Sequence, residues 1–279
     1  MKNILIPTDF SANSWNATKY ALEFFKNSQC NFYLLHVTFI SNYASGDSPL
    51  IPTDTVIEKT LLKQAKNSLN QLIKKIKKTA LNPNHNFYAV SKYDFFIDAV
   101  RSEIKEKKIT LIVMGTKGAS GLNEVIIGSN TGDLITQVQC PVLIIPENAV
   151  FKVPKEIAFP TDYNIFYQTN VLKYISEYTK MFDATIRILH IAKKNETLTE
   201  FQLKNKDFLN DYFLDENHSF HRITSKKIEN GVQCFVESRN INLIIMIAKN
   251  LNLFQRILFK PTVEEISYHT EIPFLVLHE

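Results

Sequence analysis

The stretch at residues 4–11, "ILIPTDFS", returns later in the chain as "IAFPTDYN" at residues 157–164. Three further strand-like runs recur in the same order: "LLHV" (34–37) as "ILHI" (188–191), "ITLIVMG" (109–115) as "INLIIMI" (241–247), and "CPVLIIP" (140–146) as "IPFLVLH" (272–278). Matching runs in matching order indicate a tandem duplication and not one large sheet. The boundary between the copies is expected near "ENAVFKVP", giving domains at 1–148 and 152–279.

Helix-like segments separate the strand-like runs. Apolar residues recur at helical spacing after the first strand, where Ser11 and Asn13 are alternative N-caps, and again from about Thr55 to Lys78. Near-continuous apolar strands that alternate with helices are typical of a parallel sheet covered on both faces. We therefore predict an α/β fold with a five-stranded parallel sheet in each half. The fifth strands are apolar edges, so we expect the two halves to pair through them within the chain.

Composition narrows the function classes. The chain has 279 residues, of which 45% are hydrophobic and 22% charged, and its net charge is +4. This charge is too small to argue for a nucleic-acid partner. No run reaches the ~18–20 apolar residues of a membrane span, and the N-terminal run has no signal-peptide layout, so we expect a cytoplasmic protein without a membrane partner. Cys30, Cys140 and Cys234 are expected to be buried free thiols, neither disulfides nor metal ligands.

Five of the chain's seven glycines lie in residues 115–132, directly after the fourth strand. In an open parallel sheet ligands bind at the carboxyl ends of strands, where the strand order reverses. With the order 3-2-1-4-5, "PTD" after strand one and "GTKG" after strand four would line one crevice. Gly115 and Gly118 would allow close approach of the backbone, or positive φ, and Gly128 precedes a helix N-terminus that favours an anion. These features together predict a phosphate site.

The spacing G-x2-G-x9-G-[ST], carried by Gly115, Gly118, Gly128 and Ser129, resembles the nucleotide-binding branch of the universal stress protein family (UspA-like) in tandem form. "ILIPTDFS", "LLHV", "GSNT" and "CPVLIIP" support the resemblance, which covers both halves. It implies two Rossmann-like, adenine nucleotide α-hydrolase-like domains with strand order 3-2-1-4-5. It also implies that ATP or another adenine nucleotide, with or without Mg²⁺, binds in the first half.

The resemblance assigns roles by position. Asp9 would contact the ribose or base with Pro7 beside it, Val37 would pack near adenine, and Met114 and Gly115 would lie under the nucleotide. The phosphate-binding residues would be Gly118, Gly128, Ser129 and Asn130. Two alternatives stay open: Asp9 could form an Asx turn or cap the first helix, and Lys117 could be a solvated loop charge.

The second half lacks the phosphate-binding elements. Sliding the sequence by 132 residues aligns Gly115 with Ile247, and the other motif positions with Asn250, Lys260 and Pro261. A branched side chain blocks backbone approach, and proline removes an amide donor. We therefore predict one competent site in the first half and a degenerate second half, while a homodimer of the chain stays open.

The function favoured by the sequence is a stress-response protein in which the adenine nucleotide acts as a sensor or switch. The alternatives are an interaction scaffold for an unknown protein partner, with a vestigial pocket, and a weak ATPase. No catalytic set is evident beside the glycines, so enzymatic activity is uncertain and no catalytic or metal-binding residue is assigned. His36 and His190 hold equivalent positions and are interpreted as structural, and the loop at 40–54 is expected to order over a filled site.

Two other segments stand out. The long helix carries seven lysines with little acid, which predicts a solvated polar face, with contact to nucleic acid or an anionic surface as the alternative. The segment "FLNDYFLDENHSFHR" is predicted to be a core-facing helix that runs into a strand, with Phe208, Tyr212 and Phe213 in packing roles.

Overall fold

The computed structural model describes residues 1–38, 54–79, 82–116, 129–248 and 271–278. The first half contains, in chain order, β1 (Lys2–Pro7), α1 (Ala12–Phe24), β2 (Cys30–Thr38), α2 (Asp54–Thr79), β3 (His85–Tyr93), α3 (Phe96–Lys107), β4 (Leu111–Gly115), α4 (Ser129–Gln137) and β5 (Val142–Ile145). The second half contains β6 (Glu156–Pro160), α5 (Thr169–Phe182), β7 (Thr185–Ala192), α6 (Glu200–Tyr212), β8 (His218–Thr224), α7 (Ile228–Ser238), β9 (Leu243–Ile247) and β10 (Phe274–Leu277).

The strand order repeats in the two halves. The sheet runs β3-β2-β1-β4-β5-β10-β9-β6-β7-β8, so each half has the order 3-2-1-4-5 in its own numbering. Every strand pair within a half is parallel. The predicted order is confirmed, and with it the reversal of strand order between β1 and β4.

The two halves meet through their fifth strands. β5 and β10 pair antiparallel, with Phe274 opposite Ile144 and Val276 opposite Val142. The expectation that the duplication excludes one large sheet is therefore wrong, because this pairing makes a single ten-stranded sheet. The physical reason is that two apolar edges satisfy their backbone N–H and C=O groups on each other.

The core lies in two layers, one on each face of the sheet. Along β1, Ile4 and Ile6 belong to the layer covered by α1, α2, α5 and α6, whereas Leu5 belongs to the layer covered by α3, α4 and α7. All three side chains are fully buried. Burial of such a side chain stabilises the fold by about 1.5–3 kcal/mol, which is why these strands read as continuous apolar runs.

Helices α1 and α2 both pack on the first half of the sheet. α1 begins after Ser11, whose Oγ accepts a hydrogen bond from the Ser14 N–H at 3.2 Å, so Ser11 and not Asn13 is the N-cap. α2 spans 26 residues and buries Leu69 and Ile76 against the sheet. No helix in the described part of the chain is long and apolar enough to cross a membrane.

Two packing predictions are wrong. Cys234 is exposed and not buried, because α7 turns Val232 and Phe235 toward the core and Cys234 away from it. Phe208 is also exposed, since α6 buries the flank that carries Leu209. Phe213 is fully buried, as predicted.

Candidate functional site

A crevice opens where the strand order reverses, at the carboxyl ends of β1 and β4. Its walls come from the turn after β1, the end of β2, the start of α3, the end of β4 and the first residues of α4. We call it the first-half crevice; the residues that line it are Pro7, Thr8, Asp9, Ser14, Leu35, His36, Val37, Phe96, Met114, Gly115, Ser129, Asn130 and Thr131.

The turn after β1 is held by its own side chains. The Phe10 N–H donates to Thr8 Oγ1 at 3.1 Å, and the Ser11 N–H donates to Asp9 Oδ1 at 3.0 Å. Phe10 has φ 64°, a left-handed conformation that is rare for a bulky residue. The Asx turn, one of the two alternatives for Asp9, is therefore present. It fixes the carboxylate at the rim of the first-half crevice.

Thr8 joins this turn to α1 and β2. Its side-chain oxygen lies 3.1 Å from Ser14 Oγ, and its carbonyl lies 2.7 Å from His36 Nδ1. Because a carbonyl can only accept, His36 carries its proton on Nδ1, and in the neutral ring Nε2 is an acceptor. The imidazole also packs against the Phe10 ring, at 4.6 Å between centroids. His36 is thus held structurally, as predicted, and it also lines the crevice.

Gly115 is close to another side chain of the protein. A Cβ added at Gly115 would lie 2.8 Å from Asn13 Oδ1 and 2.9 Å from Asn13 Cγ, and the backbone there is not in the left-handed region. Its carbonyl accepts a hydrogen bond from Thr131 Oγ1 at 3.0 Å. The sequence argument assigned this glycine to ligand approach or to positive φ. The structure excludes positive φ and adds the close packing of Asn13 as a reason for glycine, while ligand approach stays a prediction.

The N-terminus of α4 borders the crevice. Ser129 and Asn130 are exposed and Thr131 is buried, so the helix starts at the surface and enters the core within one turn. Its first N–H groups have no partner inside the helix, and the helix dipole makes this end positive. The first turn contains no acidic residue. The Thr131–Gly115 hydrogen bond fixes this helix end against the end of β4.

Seven of the nine predicted site residues line this crevice: Pro7, Asp9, Val37, Met114, Gly115, Ser129 and Asn130. Gly118, Gly128 and Lys117 lie outside the described residues, and so do residues 40–53 of the predicted 40–54 loop. Thr8 lines the crevice as part of the predicted "PTD" wall. Sequence reasoning missed Ser14, Leu35 and Phe96 as lining residues, and none of the three carries a comparable signal.

Comparison with known proteins decides the family. A family model described as the universal stress protein family matches residues 1–146, which is half of the chain. The chain belongs to the universal stress protein family.

Relatives agree with this placement. Universal stress protein MJ0531 of Methanocaldococcus jannaschii is 29% identical over 144 residues, covering 52% of this chain and 81% of the relative. Universal stress protein A homolog 1 of Coxiella burnetii is 28% identical over 145 residues, covering 52% of this chain and 95% of the relative. A solved universal stress protein structure from Archaeoglobus fulgidus covers 99% of this chain and 96% of its own, with a TM-score of 0.71 at 16% identity. The fold is therefore shared over both halves.

The second half of this universal stress protein contains the same turn with different packing. Tyr163 has φ 59°, its N–H donates to Thr161 Oγ1 at 3.1 Å, and His190 Nδ1 lies 3.1 Å from the Thr161 carbonyl. Tyr167, at the position equivalent to Ser14, hydrogen-bonds Thr161 Oγ1 through its hydroxyl. Burial raises the pKa of both tyrosines, because the charged phenolate is disfavoured away from water.

Helix α6 covers this second turn. Gln202 Nε2 donates to the Asp162 carbonyl at 2.7 Å, and Asn205 Nδ2 donates to the Tyr163 carbonyl at 2.8 Å. Ile247, which replaces Gly115, is buried. Tyr167 and Ile247 are therefore larger buried side chains at the positions where Ser14 and Gly115 line the first-half crevice. Asn250, Lys260 and Pro261 lie outside the described residues.

Proposed function

We propose that this chain binds an adenine nucleotide in the first-half crevice and that occupancy of this site acts as a sensor or switch in a stress response. The observation that carries the proposal is the meeting of the "PTD" turn and the start of α4 at the reversal of strand order. Open α/β sheets bind ligands at this location. Membership of the universal stress protein family supports the same assignment.

The phosphates would lie at the start of α4. Ser129 and Asn130 are exposed there, and the unpaired N–H groups of the first turn attract an anion. Gly118 and Gly128 would complete the phosphate site. The adenine and ribose would lie toward Val37, Met114 and the Asp9 side of the crevice.

Any Mg²⁺ would depend mainly on the phosphates. Asp9 is the one carboxylate among the described lining residues, and its Oδ1 already accepts the Ser11 N–H. Mg²⁺ in nucleotide sites is commonly held by one or two carboxylates together with phosphate oxygens. One carboxylate is enough for a Mg²⁺ ion that binds together with the nucleotide and is held mainly by its phosphates.

The second half would support the site without binding a nucleotide. We propose that residues 1–148 form the nucleotide-binding domain and residues 152–279 a degenerate one, in a cytoplasmic protein. Tyr167 and Ile247 are buried at the positions equivalent to Ser14 and Gly115, which line the first-half crevice. A stoichiometry of one nucleotide per chain is therefore expected.

The test pairs two aspartate substitutions at helix N-termini. Ser129→Asp places a carboxylate where the phosphates would bind, and Thr169→Asp makes the same change at the first residue of α5. An acidic residue in the first turn favours a helix, so both variants should fold. We expect Ser129→Asp to weaken binding of ATP, ADP and AMP at least tenfold, or about 1.4 kcal/mol, while Thr169→Asp leaves it unchanged.

Titration calorimetry of the intact chain, with and without Mg²⁺, measures these affinities and the stoichiometry. Nucleotide released from freshly purified protein by denaturation identifies the natural ligand. If the wild-type chain releases no nucleotide and shows no heat with any of the three, the crevice is vestigial and the interaction scaffold becomes the better hypothesis. Equal loss of affinity in both variants would mean that the start of α4 does not bind the phosphates.

A further inference from the structure

Helix α2 carries the excess positive charge of the whole chain. It has seven lysines and two acidic residues, a net charge of +5, whereas the complete chain has +4. The rest of the chain is therefore net −1. Averaging over the whole sequence conceals this segregation of charge onto one element.

Five of these lysines form one stripe, which we call the α2 lysine stripe: Lys59, Lys63, Lys66, Lys74 and Lys77. At about 100° per residue they fall within a sector of roughly 80°, with Asn70 in the gap, and at about 1.5 Å per residue they span about 27 Å. All five are exposed. The acidic Glu58 lies about 100° away around the helix.

The packing of α2 turns the stripe toward solvent. Ala65, Leu69 and Ile76 are buried against the sheet, about 120° around the helix from the stripe. Lys75, which is not part of the stripe, has its Nζ 3.9 Å from the centroid of the Trp15 ring. None of the five stripe lysines forms an ion pair with a carboxylate of the described residues.

The fold itself does not require this stripe. The counterpart helix in the second half, α6, has two lysines and three acidic residues, a net charge of −1. Lys204 on α6 is paired with Glu200 at 2.7 Å. Two helices in equivalent places therefore have opposite net charges, although both cover the same face of the sheet.

We propose that the α2 lysine stripe binds the phosphate backbone of a nucleic acid without reading its sequence. Lysine ammonium groups are point charges suited to phosphate, and a linear row of about 27 Å matches the rise of about eight base pairs. The small net charge of the whole chain argued against a nucleic-acid partner. The proposal reverses that expectation, because the positive charges are grouped on one helix face and most acidic residues lie on other elements. It is independent of the nucleotide assigned to the first-half crevice.

The residues beside the stripe favour nucleic acid over a membrane surface or a protein partner. Val56, near the N-terminal end of α2, is the one exposed large apolar side chain among the described side chains of the helix. A helix that inserts into a membrane surface needs an apolar face, and a tight protein interface needs apolar or aromatic anchors. The stripe also lacks aromatic side chains for base stacking, so its contacts would be to phosphates alone, which carry no sequence information.

The experiment compares two triple charge reversals. Lys63→Glu, Lys66→Glu and Lys74→Glu alter the stripe, and Lys193→Glu, Lys194→Glu and Lys226→Glu make the same change in net charge at exposed sites of the second half. Fluorescence anisotropy measures binding of the full chain to a labelled duplex of about 24 base pairs, and to a single strand of that length, between about 50 and 200 mM salt. Circular dichroism confirms that both variants are folded.

For the wild-type chain we expect micromolar binding at low salt, with a log–log salt slope of about −4 to −5 on duplex. The stripe variant should bind at least tenfold more weakly, with a slope nearer −2, and the second-half variant should be close to wild type. Absence of salt-dependent binding, or equal loss in both variants, would overturn the proposal. Stripe-dependent binding to vesicles containing anionic lipid, without binding to nucleic acid, would overturn it in favour of a membrane surface.

Discussion

The turns that follow β1 and β6 have nearly the same backbone but different surroundings. Phe10 and Tyr163 both have positive φ, and each donates its N–H to the threonine two residues earlier. Phe10, however, is 40% exposed at the first turn, whereas Tyr163 is 2% exposed beneath α6. The comparison teaches that the turn belongs to the fold, while the space beside it is set by a few side chains.

Three features distinguish the second turn from the first among the described residues. Ser14 becomes Tyr167, Gly115 becomes Ile247, and α6 supplies polar side chains that bond to the second turn. Each change adds volume or a hydrogen bond to the protein itself. The second turn thus has larger buried side chains and more hydrogen bonds to its own chain, which should contribute to stability.

The largest expected effect comes from truncating the two aromatic residues. Tyr163→Ala should lower the free energy of unfolding by about 3–5 kcal/mol, because a buried ring is lost and a cavity remains. Phe10→Ala should change it by less than about 1 kcal/mol, since much of that ring is already in water. Urea unfolding of the two variants measures both values. Similar costs for the two would mean that the halves are packed alike at this turn.

A middle-sized effect is expected at Gly115. Gly115→Ala should cost about 1–3 kcal/mol, because the added Cβ meets the buried side chain of Asn13. Asn13→Ala in the same chain should recover most of that cost, giving a coupling energy of about 1 kcal/mol or more in a double-mutant cycle. Simple additivity of the two changes would show that Asn13 is not what requires glycine at this position.

The smallest effect concerns pH and the contact between halves. His278 at the end of β10 hydrogen-bonds the Ile135 carbonyl of α4 through Nε2 at 2.8 Å, and burial holds its pKa below the usual value. The unfolded chain therefore takes up this proton first, so stability should fall as pH drops below about 6.5, by at most about 1.4 kcal/mol per pH unit.

His278→Gln keeps a donor for Ile135 and removes the titration. Urea unfolding at about pH 7 and about pH 5.5 should therefore show a smaller loss of stability in this variant than in the wild-type chain. An identical loss in both chains would assign the acid sensitivity to other groups.

Sequence reasoning was most successful where the signal is local or repeated. The strands, their order and the convergence of Pro7, Asp9 and Ser129 follow from apolar runs, from the duplication and from the rule for parallel sheets. The contact between Asn13 and Gly115 joins residues far apart in the chain, and no periodicity encodes which side chain a glycine accommodates. Exposure of Cys234 depended on the rotation of α7, which its apolar content alone does not fix.

The antiparallel pairing of β5 with β10 has a consequence for how the molecule can vary. In an assembly of two identical chains every substitution occurs twice, so one site cannot be lost while its copy is kept. Joining both halves in one polypeptide removes that symmetry. A substitution such as glycine to isoleucine can then occur in one half alone. Because one polypeptide contains both halves, every molecule has the same difference between its two turns.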